Sequence, residues 1–248
     1  PAHVSFAESK RPGFRCGYFS GVDSVNIAII PARGGSKRIP RKNIKLFFGK
    51  PMIAWSIEAA KASGCFDRII VSTDDDEIAD IAKRYGAEVP FMRPAELSND
   101  FAGTTPVVKH AIETLLAQGG TLNDVCCIYA TAPFVTAEDI RQAFEKLVAN
   151  NCNYVFSATS FPFPIQRALK VSERGYVEMF QPENFAKRSQ DLEESFHDAG
   201  QFYWGTVKAW VDESLIFGHN SMAHILPRYR VQDIDTPEDW LRAEMLFK

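Results

Sequence analysis

Short apolar runs and amphipathic segments alternate along most of the chain. The apolar runs cover residues 26–30, 69–71, 125–129 and 154–156, and each has the length of a buried strand. Between them, apolar residues recur every three or four positions, as on one face of a helix. One such set is Ile78, Ile81, Ala82 and Tyr85, with Gly86 at the predicted helix end. This alternation predicts an α/β fold, a Rossmann-like and mostly parallel sheet with helices on both faces and ligands at the carboxyl ends of the strands.

Further helices are predicted from their starting signals. Thr105 precedes Pro106, as a cap precedes a proline at the first helical position. Thr136 and Asp139 have the spacing of a capping box, and Thr236 caps a last helix near the end of the chain.

Two parts of the chain lack this alternation. Residues 1–24 contain glycine, proline and mixed charges without a helical or strand period, and we interpret them as a flexible or appended leader. Residues 161–200 begin with Phe-Pro-Phe-Pro and continue as a polar stretch, which indicates a small inserted lobe. The pattern resumes at residues 202–204 and closes at residues 229–231. We therefore expect one domain over residues 25–248 that contains the lobe.

Composition excludes several classes of protein. The 248 residues are 46% hydrophobic and 24% charged, which allows a sizeable core but is too polar for a membrane protein. The net charge of -3 does not provide the positive field of a nucleic-acid-binding protein. Five scattered cysteines without a Cys-x-x-Cys pair fit neither a disulfide framework nor a zinc site. We expect a cytoplasmic protein that binds neither nucleic acid nor membrane.

The strongest candidate site directly follows the first predicted strand. Between residues 31 and 45 there are two glycines, Ser36 and six basic residues, but no acidic residue. The basic residues are Arg33, Lys37, Arg38, Arg41, Lys42 and Lys45. Backbone N–H groups of a glycine-rich turn, together with such side chains, bind a polyanion such as a triphosphate. The alternative is a charged loop without a specific ligand. The spacing excludes the dinucleotide-binding motif, and Pro51 follows Gly49-Lys50 where a P-loop has Ser or Thr.

Two carboxylates near the end of the chain are candidate metal ligands. Asp233 and Asp235 alternate in an extended segment, so both point to the same side. Mg²⁺ takes one or two carboxylates and completes its shell with water and phosphate oxygens, which suits a site beside a triphosphate. The alternative is that Asp235 only favours the start of the last helix electrostatically. Arg93 also has two interpretations, because its planar guanidinium suits either a base edge or an ion pair within the fold.

Taken together, these motifs resemble those of the CMP-sialic acid synthetase family, cytidylyltransferases that activate acidic sugars. The family signature, Ala-Arg-x-x-Ser-Lys followed by Lys-Asn, is met by residues 32–37 and 42–43, and the similarity extends from residue 26 to the end. Segments 158–167 and 188–205 are similar to the pseudaminic acid branch of the family. Ala130 supports that branch, because enzymes for sialic acid tend to have glutamine there. The resemblance implies a fold of the nucleotide-diphospho-sugar transferase type.

The resemblance also implies a reaction, in which the anomeric hydroxyl of pseudaminic acid attacks the α-phosphorus of CTP. The products would be pyrophosphate and CMP-pseudaminic acid for glycosylation of surface glycans or flagellin. Arg33, Ser36 and Lys37 would bind the β- and γ-phosphates. Lys42 would neutralise the α-phosphate and, with Arg33, is a predicted catalytic residue. Asp235 is the third predicted catalytic residue, because its carboxylate, or a water held by its metal, is the candidate base for the hydroxyl proton.

The other implied ligands are the nucleoside, the metal ion and a second subunit. Asn43, Arg93 and Thr104 would hold the cytidine. Asp233 and Asp235 would bind Mg²⁺ as the cofactor. A homodimer is expected, with the lobe reaching toward the partner's site.

The region of the lobe also contains the candidates for binding the acidic sugar. Gln166, Arg188 and Gln201 are predicted to bind it, because its carboxylate needs polar or cationic partners. His197 and Asp198 are candidates for further contacts, and the alternative for His197 is a structural hydrogen-bonding role. Residues 202–204 are interpreted as core rather than as a platform for stacking. The alternatives for the whole protein are transfer of CMP to another acidic sugar, such as N-acetylneuraminic, legionaminic or deoxyoctulosonic acid, or a nucleotide-binding sensor without catalysis.

Overall fold

A computed structural model describes residues 25–248, so the predicted leader, residues 1–24, lies outside the described residues. In chain order the strands and helices are β1 (Val25–Pro31), β2 (Leu46–Phe47), β3 (Lys50–Pro51), α1 (Met52–Ser63), β4 (Arg68–Ser72), α2 (Asp76–Arg84), α3 (Thr104–Ala117), β5 (Leu122–Ile128), α4 (Ala137–Asn150), β6 (Tyr154–Ser160), β7 (Leu169–Val171), β8 (Val177–Met179), β9 (Phe196–Thr206), α5 (Val207–Val211), β10 (Ser221–Ile225) and α6 (Pro237–Phe247). None of the helices within residues 25–248 is long and apolar enough to span a membrane.

Six strands form the central sheet in the order β10-β6-β9-β5-β1-β4. β1 is parallel to β4 and β5, and β6 is parallel to β10, which confirms the predicted mostly parallel sheet. β9 is antiparallel to both of its neighbours, β5 and β6. It returns beside β6 with Phe196 opposite Ser160, so the lobe lies at the tip of a long hairpin. Strands of a hairpin are antiparallel, and this explains the one exception in the sheet.

Neighbouring residues of β1 belong to two different cores. Ala28 and Ile30 pack in the cluster that includes α1, α2 and α4, whereas Ile27 and Ile29 pack in the cluster that includes α3 and α5. Successive side chains of a strand point to opposite faces, so a continuous apolar run requires helices on both faces. Burial of each isoleucine side chain contributes about 1.5–3 kcal/mol. The predicted two-sided covering of the sheet is therefore confirmed.

Most of the predicted helix starts agree with the structure. Thr136 accepts a hydrogen bond from the backbone N–H of Asp139, and the carboxylate of Asp139 accepts one from the backbone N–H of Thr136. The same capping box starts α6. The predicted cap at Thr105 is wrong, because α3 begins two residues earlier, at Thr104, with Gly103 at its N-cap. Pro106 still lies in the first turn, where a backbone N–H has no acceptor within the helix, so the earlier start costs no hydrogen bond.

The lobe and the last strand differ from the predicted pattern. The lobe contains the two-stranded β7–β8 sheet, and it ends before Phe196 rather than at residue 200 because β9 begins there. The last strand of the sheet is β10. Arg228–Arg230 form a 3-10 turn, although the strand and helix pattern of the sequence was expected to close with residues 229–231. The side chain of Tyr229 is exposed and Arg230 is bound by a carboxylate, so this segment does not enter the sheet.

Candidate active site

The basic loop after β1 surrounds a cavity of about 230 Å³ at the carboxyl end of the sheet. Every residue predicted to bind CTP lines this cavity, together with one of the two aspartates. These residues are Arg33, Ser36, Lys37, Lys42, Asn43, Arg93, Thr104 and Asp235. Ile39 of the loop and Ile234 beside Asp235 are both buried in the apolar cluster under α6. Because the two segments share a core, distant parts of the chain are held at one site.

Two cations of the loop are paired with a carboxylate that is not among the predicted site residues. Arg33 and Lys37 each contact Asp100 at 2.5 Å. The hydrogen bonds from Lys37 and then Arg33 lower the pKa of the Asp100 carboxyl, so it is ionised at neutral pH. Asp100 therefore occupies the place of an anion at the two cations that are predicted to bind the β- and γ-phosphates.

The inner lysine lies against the aspartate pair. The Nζ atom of Lys42 donates to the carbonyl oxygen of Ile234 at 2.5 Å and to Asp235 at 3.1 Å, and Arg38 contacts Asp235 at 2.7 Å. Partial burial opposes ionisation of Asp235, but the bond from Lys42 and the charges of Lys42 and Arg38 outweigh it and lower its pKa. The pKa of Asp233 is raised, because the walls of the concave site partly remove it from water and Asp235 is nearby.

The three predicted cytidine contacts are ordered by hydrogen bonds. Asn43 is buried and donates to the carbonyl oxygen of Arg33 at 2.9 Å, which closes the loop. The buried guanidinium of Arg93 donates to the hydroxyl of Ser72 at 3.1 Å, and no carboxylate of residues 25–248 forms an ion pair with it. Burial lowers the pKa of Arg93 to about 10, so the side chain stays charged at neutral pH. Thr104 is hydrogen-bonded to the hydroxyl of Tyr129 at 2.7 Å.

A second and larger cavity, of about 790 Å³, adjoins the first. Tyr129 lines both cavities, Asp235 lines the first, and Asp233 lines the second. Polar side chains dominate the rest of its wall. They include Thr159, Ser160, His197, Asp198, Tyr203, Arg228, Tyr229, Gln232 and Arg242. The arrangement is suited to two substrates, one in each cavity, that meet at the junction formed by Tyr129 and the aspartate pair.

Two tyrosines, Tyr129 between the cavities and Tyr203 on the wall of the second, are neutral hydrogen-bonding groups. Burial raises the pKa of Tyr129 to about 12 and also raises that of Tyr203. The hydroxyl of Tyr203 donates to Asp198 at 2.5 Å, although its ring belongs to the core. Phe202 and Trp204 are fully buried, so the interpretation of this segment as core is confirmed.

The residues predicted to bind the sugar do not lie on the wall of either cavity. Gln201 is buried, and its amide donates to the carbonyl oxygen of Arg230 at 2.6 Å. Arg188 is exposed and pairs with Asp191 at 2.8 Å, while Gln166 donates to a backbone carbonyl within the lobe. The period of two along β9 directs Gln201 into the protein, and the contacts given above for the other two side chains lie inside the lobe. Their role in sugar binding stays a prediction that these positions do not support.

Several residues of the site were missed in the sequence. Tyr129 directly follows β5, so the rule that ligands lie at the carboxyl ends of parallel strands is a signal that points to it. Asp100 lies shortly after Arg93 in the chain, but only Arg93 was predicted to belong to the site. Arg228 and Arg242 carry no motif, since a turn and a helix bring them to one wall only in the folded chain.

The fold and the paired cavities match the architecture expected of a nucleotidyltransferase. Residues 27–214 match the protein family described as Cytidylyltransferase. A pseudaminic acid cytidylyltransferase of Campylobacter jejuni is 50% identical over 223 residues, which cover 90% of this chain and 96% of that protein. The chain belongs to the cytidylyltransferase family.

More distant relatives agree with this assignment. The CMP-N,N'-diacetyllegionaminic acid synthase of Legionella pneumophila is 33% identical and covers 90% of this chain and 96% of that protein. Among solved structures, CMP:2-keto-3-deoxy-manno-octonic acid synthetase complexed with CTP superposes with a TM-score of 0.66 at 17% identity. The match covers 90% of this chain and 98% of that structure, and it confirms the fold class.

Proposed function

We propose that this chain transfers CMP from CTP to pseudaminic acid and releases pyrophosphate. The observation that carries the proposal is the junction at Tyr129 of a cavity lined by cations and a larger cavity whose wall includes many polar side chains. The 50% identity to a pseudaminic acid cytidylyltransferase supports the choice of sugar. In the reaction, the anomeric oxygen forms a bond to the α-phosphorus, and the bond from that phosphorus to pyrophosphate breaks.

The loop would act on CTP by positioning it and neutralising its charge. Arg33, Ser36 and Lys37 would hold the β- and γ-phosphates, and the phosphates would replace Asp100 as the partner of the two cations. Lys42 would lie at the α-phosphate, where negative charge develops during transfer. Phosphoryl transfer depends mainly on such positioning and charge stabilisation, so the loop supplies the main requirement.

Mg²⁺ is the expected cofactor, and the residues present fit it. Asp233 and Asp235 supply oxygen donors from one extended segment at the junction of the cavities. Residues 25–248 contain no cluster of three or more His, Cys, Asp or Glu that could hold a metal. Two carboxylates are nevertheless sufficient for Mg²⁺, which takes its remaining ligands from phosphate and water. When bound, the ion would neutralise charge on the triphosphate.

The acceptor would lie in the second cavity with its anomeric hydroxyl at the junction. Its proton leaves as the new bond to phosphorus forms, and we assign Asp235 as the acceptor because its carboxylate is ionised and lies beside Lys42.

We also propose that the protein is a cytoplasmic homodimer that assembles through the lobe. Phe163, Tyr176 and Phe185 of the lobe are 80%, 75% and 77% exposed, and exposed apolar side chains of this size are typical of protein interfaces. The four cysteines within residues 25–248 are buried and form no disulfide with one another, which suits a reducing compartment. Light scattering on the purified protein tests the dimer, and a monomeric mass at micromolar concentration would contradict it.

The reaction is tested by incubating the protein with CTP, Mg²⁺ and pseudaminic, N-acetylneuraminic or legionaminic acid in separate assays. Pyrophosphate release and product mass are measured for each sugar. We expect release with pseudaminic acid, and Lys42→Met should lower turnover about 10²- to 10³-fold at saturating CTP. Lys83→Met is the matched control, because that lysine is exposed on α2 and lies outside both cavities.

The outcomes separate the alternatives. Preference for another acidic sugar would leave the proposed reaction unchanged but would assign a different sugar as the substrate. CTP binding without pyrophosphate release from any sugar would instead favour a nucleotide-binding sensor. Full turnover by Asp235→Asn would exclude that residue as the proton acceptor.

A further inference from the structure

Two arginines on the wall of the second cavity have no partner within residues 25–248. Arg228 belongs to the 3-10 turn before the aspartate pair, and Arg242 belongs to α6. The side chain of neither forms a hydrogen bond or an ion pair in the described part of the chain, although both line the cavity. Arg84 and Arg174 are also unpaired among these residues, but they lie outside both cavities. Among these four unpaired arginines, Arg228 and Arg242 are therefore the two that line the second cavity.

The pairing state distinguishes this wall from the nucleotide cavity. There, Arg33 and Lys37 must release Asp100 before they can bind an anion. At Arg228 and Arg242 an incoming anion breaks no existing ion pair. The full free energy of the charge-assisted hydrogen bonds therefore contributes to binding. A guanidinium also matches the planar geometry of a carboxylate and can bind both of its oxygens.

The backbone that carries both arginines is held in place. In the turn of Arg228, the neighbouring Arg230 is bound to Asp139 by two hydrogen bonds of 2.6 and 3.0 Å. The carbonyl oxygen of Arg230 accepts a third bond, from Gln201 on β9. Arg242 is next to Ala243, which is fully buried on the inner face of α6. The two guanidinium groups thus extend from anchored positions, and an anion would gain a defined orientation.

The two acidic residues on the wall of the same cavity, Asp198 and Asp233, form no ion pair with these arginines. Asp198 already accepts hydrogen bonds from the hydroxyl of Tyr203 at 2.5 Å and from the backbone N–H of Gly200 at 2.9 Å. Asp233 lies next to Asp235 at the junction with the nucleotide cavity. An anionic substrate would be repelled by these carboxylates and attracted by the arginines, which leaves one favourable orientation.

We propose that Arg228 and Arg242 bind the carboxylate of the acidic sugar and determine the specificity for acidic acceptors. The proposal rests on the function proposed above. In a 2-keto sugar acid, the carboxylate and the reacting hydroxyl are attached to the same carbon atom. A side chain that holds the carboxylate therefore also directs the hydroxyl toward the α-phosphorus, so these arginines position the nucleophile as well as select it.

The test uses Arg228→Gln and Arg242→Gln in the full-length chain with pseudaminic acid as the substrate. We expect each change to raise the KM for the sugar about 10- to 100-fold, the effect of losing a hydrogen bond to a charged group. The dissociation constant of CTP, measured by calorimetry, should stay unchanged, which also shows that the variants are folded. Arg228→Lys should restore part of the loss. Arg84→Gln, which removes an unpaired arginine outside both cavities, is the matched control.

A second substrate identifies the group that the arginines bind. The wild type should discriminate strongly between pseudaminic acid and its neutral carboxamide, and the variants should lose this discrimination. An unchanged KM, or an equal rise for acid and carboxamide, would overturn the proposal while the wild type remains active. A wild type that releases no pyrophosphate with any acidic sugar would overturn the proposed function, and this assignment with it.

Discussion

The segment that carries the aspartate pair depends on a partly buried ion pair outside the cavity predicted to bind CTP. Asp139, in the first turn of α4, accepts hydrogen bonds from Arg230 at 2.6 and 3.0 Å, and its side chain is only 9% exposed. Arg230 immediately precedes the residues that lead to Asp233. Replacement of Asp139 by asparagine should therefore reduce both the stability of the fold and the order of the segment that carries the aspartate pair.

The size of the effect follows from the contacts. Asparagine keeps one oxygen but places an amide N–H₂ where a carboxylate oxygen accepts from Arg230, and the cation is left partly buried without its counter-ion. Loss of one partner of a buried pair costs about 3–5 kcal/mol. The retained oxygen still accepts one bond, so we expect Asp139→Asn to lower the free energy of unfolding by about 3 kcal/mol. This is a large share of the roughly 5–15 kcal/mol that is usual for a folded domain.

The effect should depend on pH with a defined sign. Burial opposes ionisation of Asp139, but hydrogen bonds from His224, Arg230 and Thr136 outweigh it and hold its pKa well below the ordinary value of 3.8. A carboxyl with a lowered pKa contributes its full stability above the unfolded value and loses it as the pH falls through the folded value. The difference between wild type and variant should thus be constant between about pH 6 and 8, and shrink below about pH 4.

Urea unfolding followed by circular dichroism measures both quantities. Glu138→Gln is the matched control, because Glu138 lies in the same turn and pairs with Arg141 in an exposed position, so its loss should not shift the midpoint. Turnover of Asp139→Asn should fall under conditions where the variant is still folded. A loss below 1 kcal/mol at pH 7, or an undiminished difference at pH 3, would refute the assignment of this pair as an anchor.

Three further changes test separate parts of the structure. Asp100→Asn should tighten CTP binding in calorimetry, because two loop cations no longer have to release a carboxylate; weaker binding would show that Asp100 helps to hold the nucleotide. Gly205→Ala should cost about 1–3 kcal/mol in urea unfolding, since a Cβ there would approach Tyr154 and Trp210 to 2.6 Å, and an unchanged midpoint would contradict this. Burial raises the pKa of Asp124 to about 6, so the ionised form costs stability as the pH rises from about 4 to 6. Asp124→Asn should therefore stabilise the protein by up to about 3 kcal/mol at pH 8 and much less at pH 4, and an equal effect at both would exclude burial as the cause.

Much of the fold could be predicted from the sequence because its signals are local. The period of two in strands, the period of 3.6 in helices and the capping box at Thr136 each lie within a few neighbouring residues. The cationic loop is also contiguous, and its position after the first strand places it at the ligand-binding edge of a parallel sheet. For the same reason, all residues predicted to bind CTP line one cavity.

Tertiary structure decided the features that depend on contacts between distant segments. The sequence pattern did not reveal the antiparallel direction of β9, because direction follows from the hairpin that carries the lobe. Gln201 has the chemistry of a sugar ligand, but the register of β9 turns it into the protein. A local pattern also contains no information about which charges meet.

The charges of the site show this most clearly. The sequence by itself determined that a cationic loop and an aspartate pair exist. Only the folded chain places Lys42 against Asp235, joins two cavities at Tyr129 and leaves Arg228 and Arg242 unpaired among the described residues. Electrostatic interactions depend on distance in space rather than on separation along the chain, so the partners of each charge are defined only when the cores on both faces of the sheet are packed.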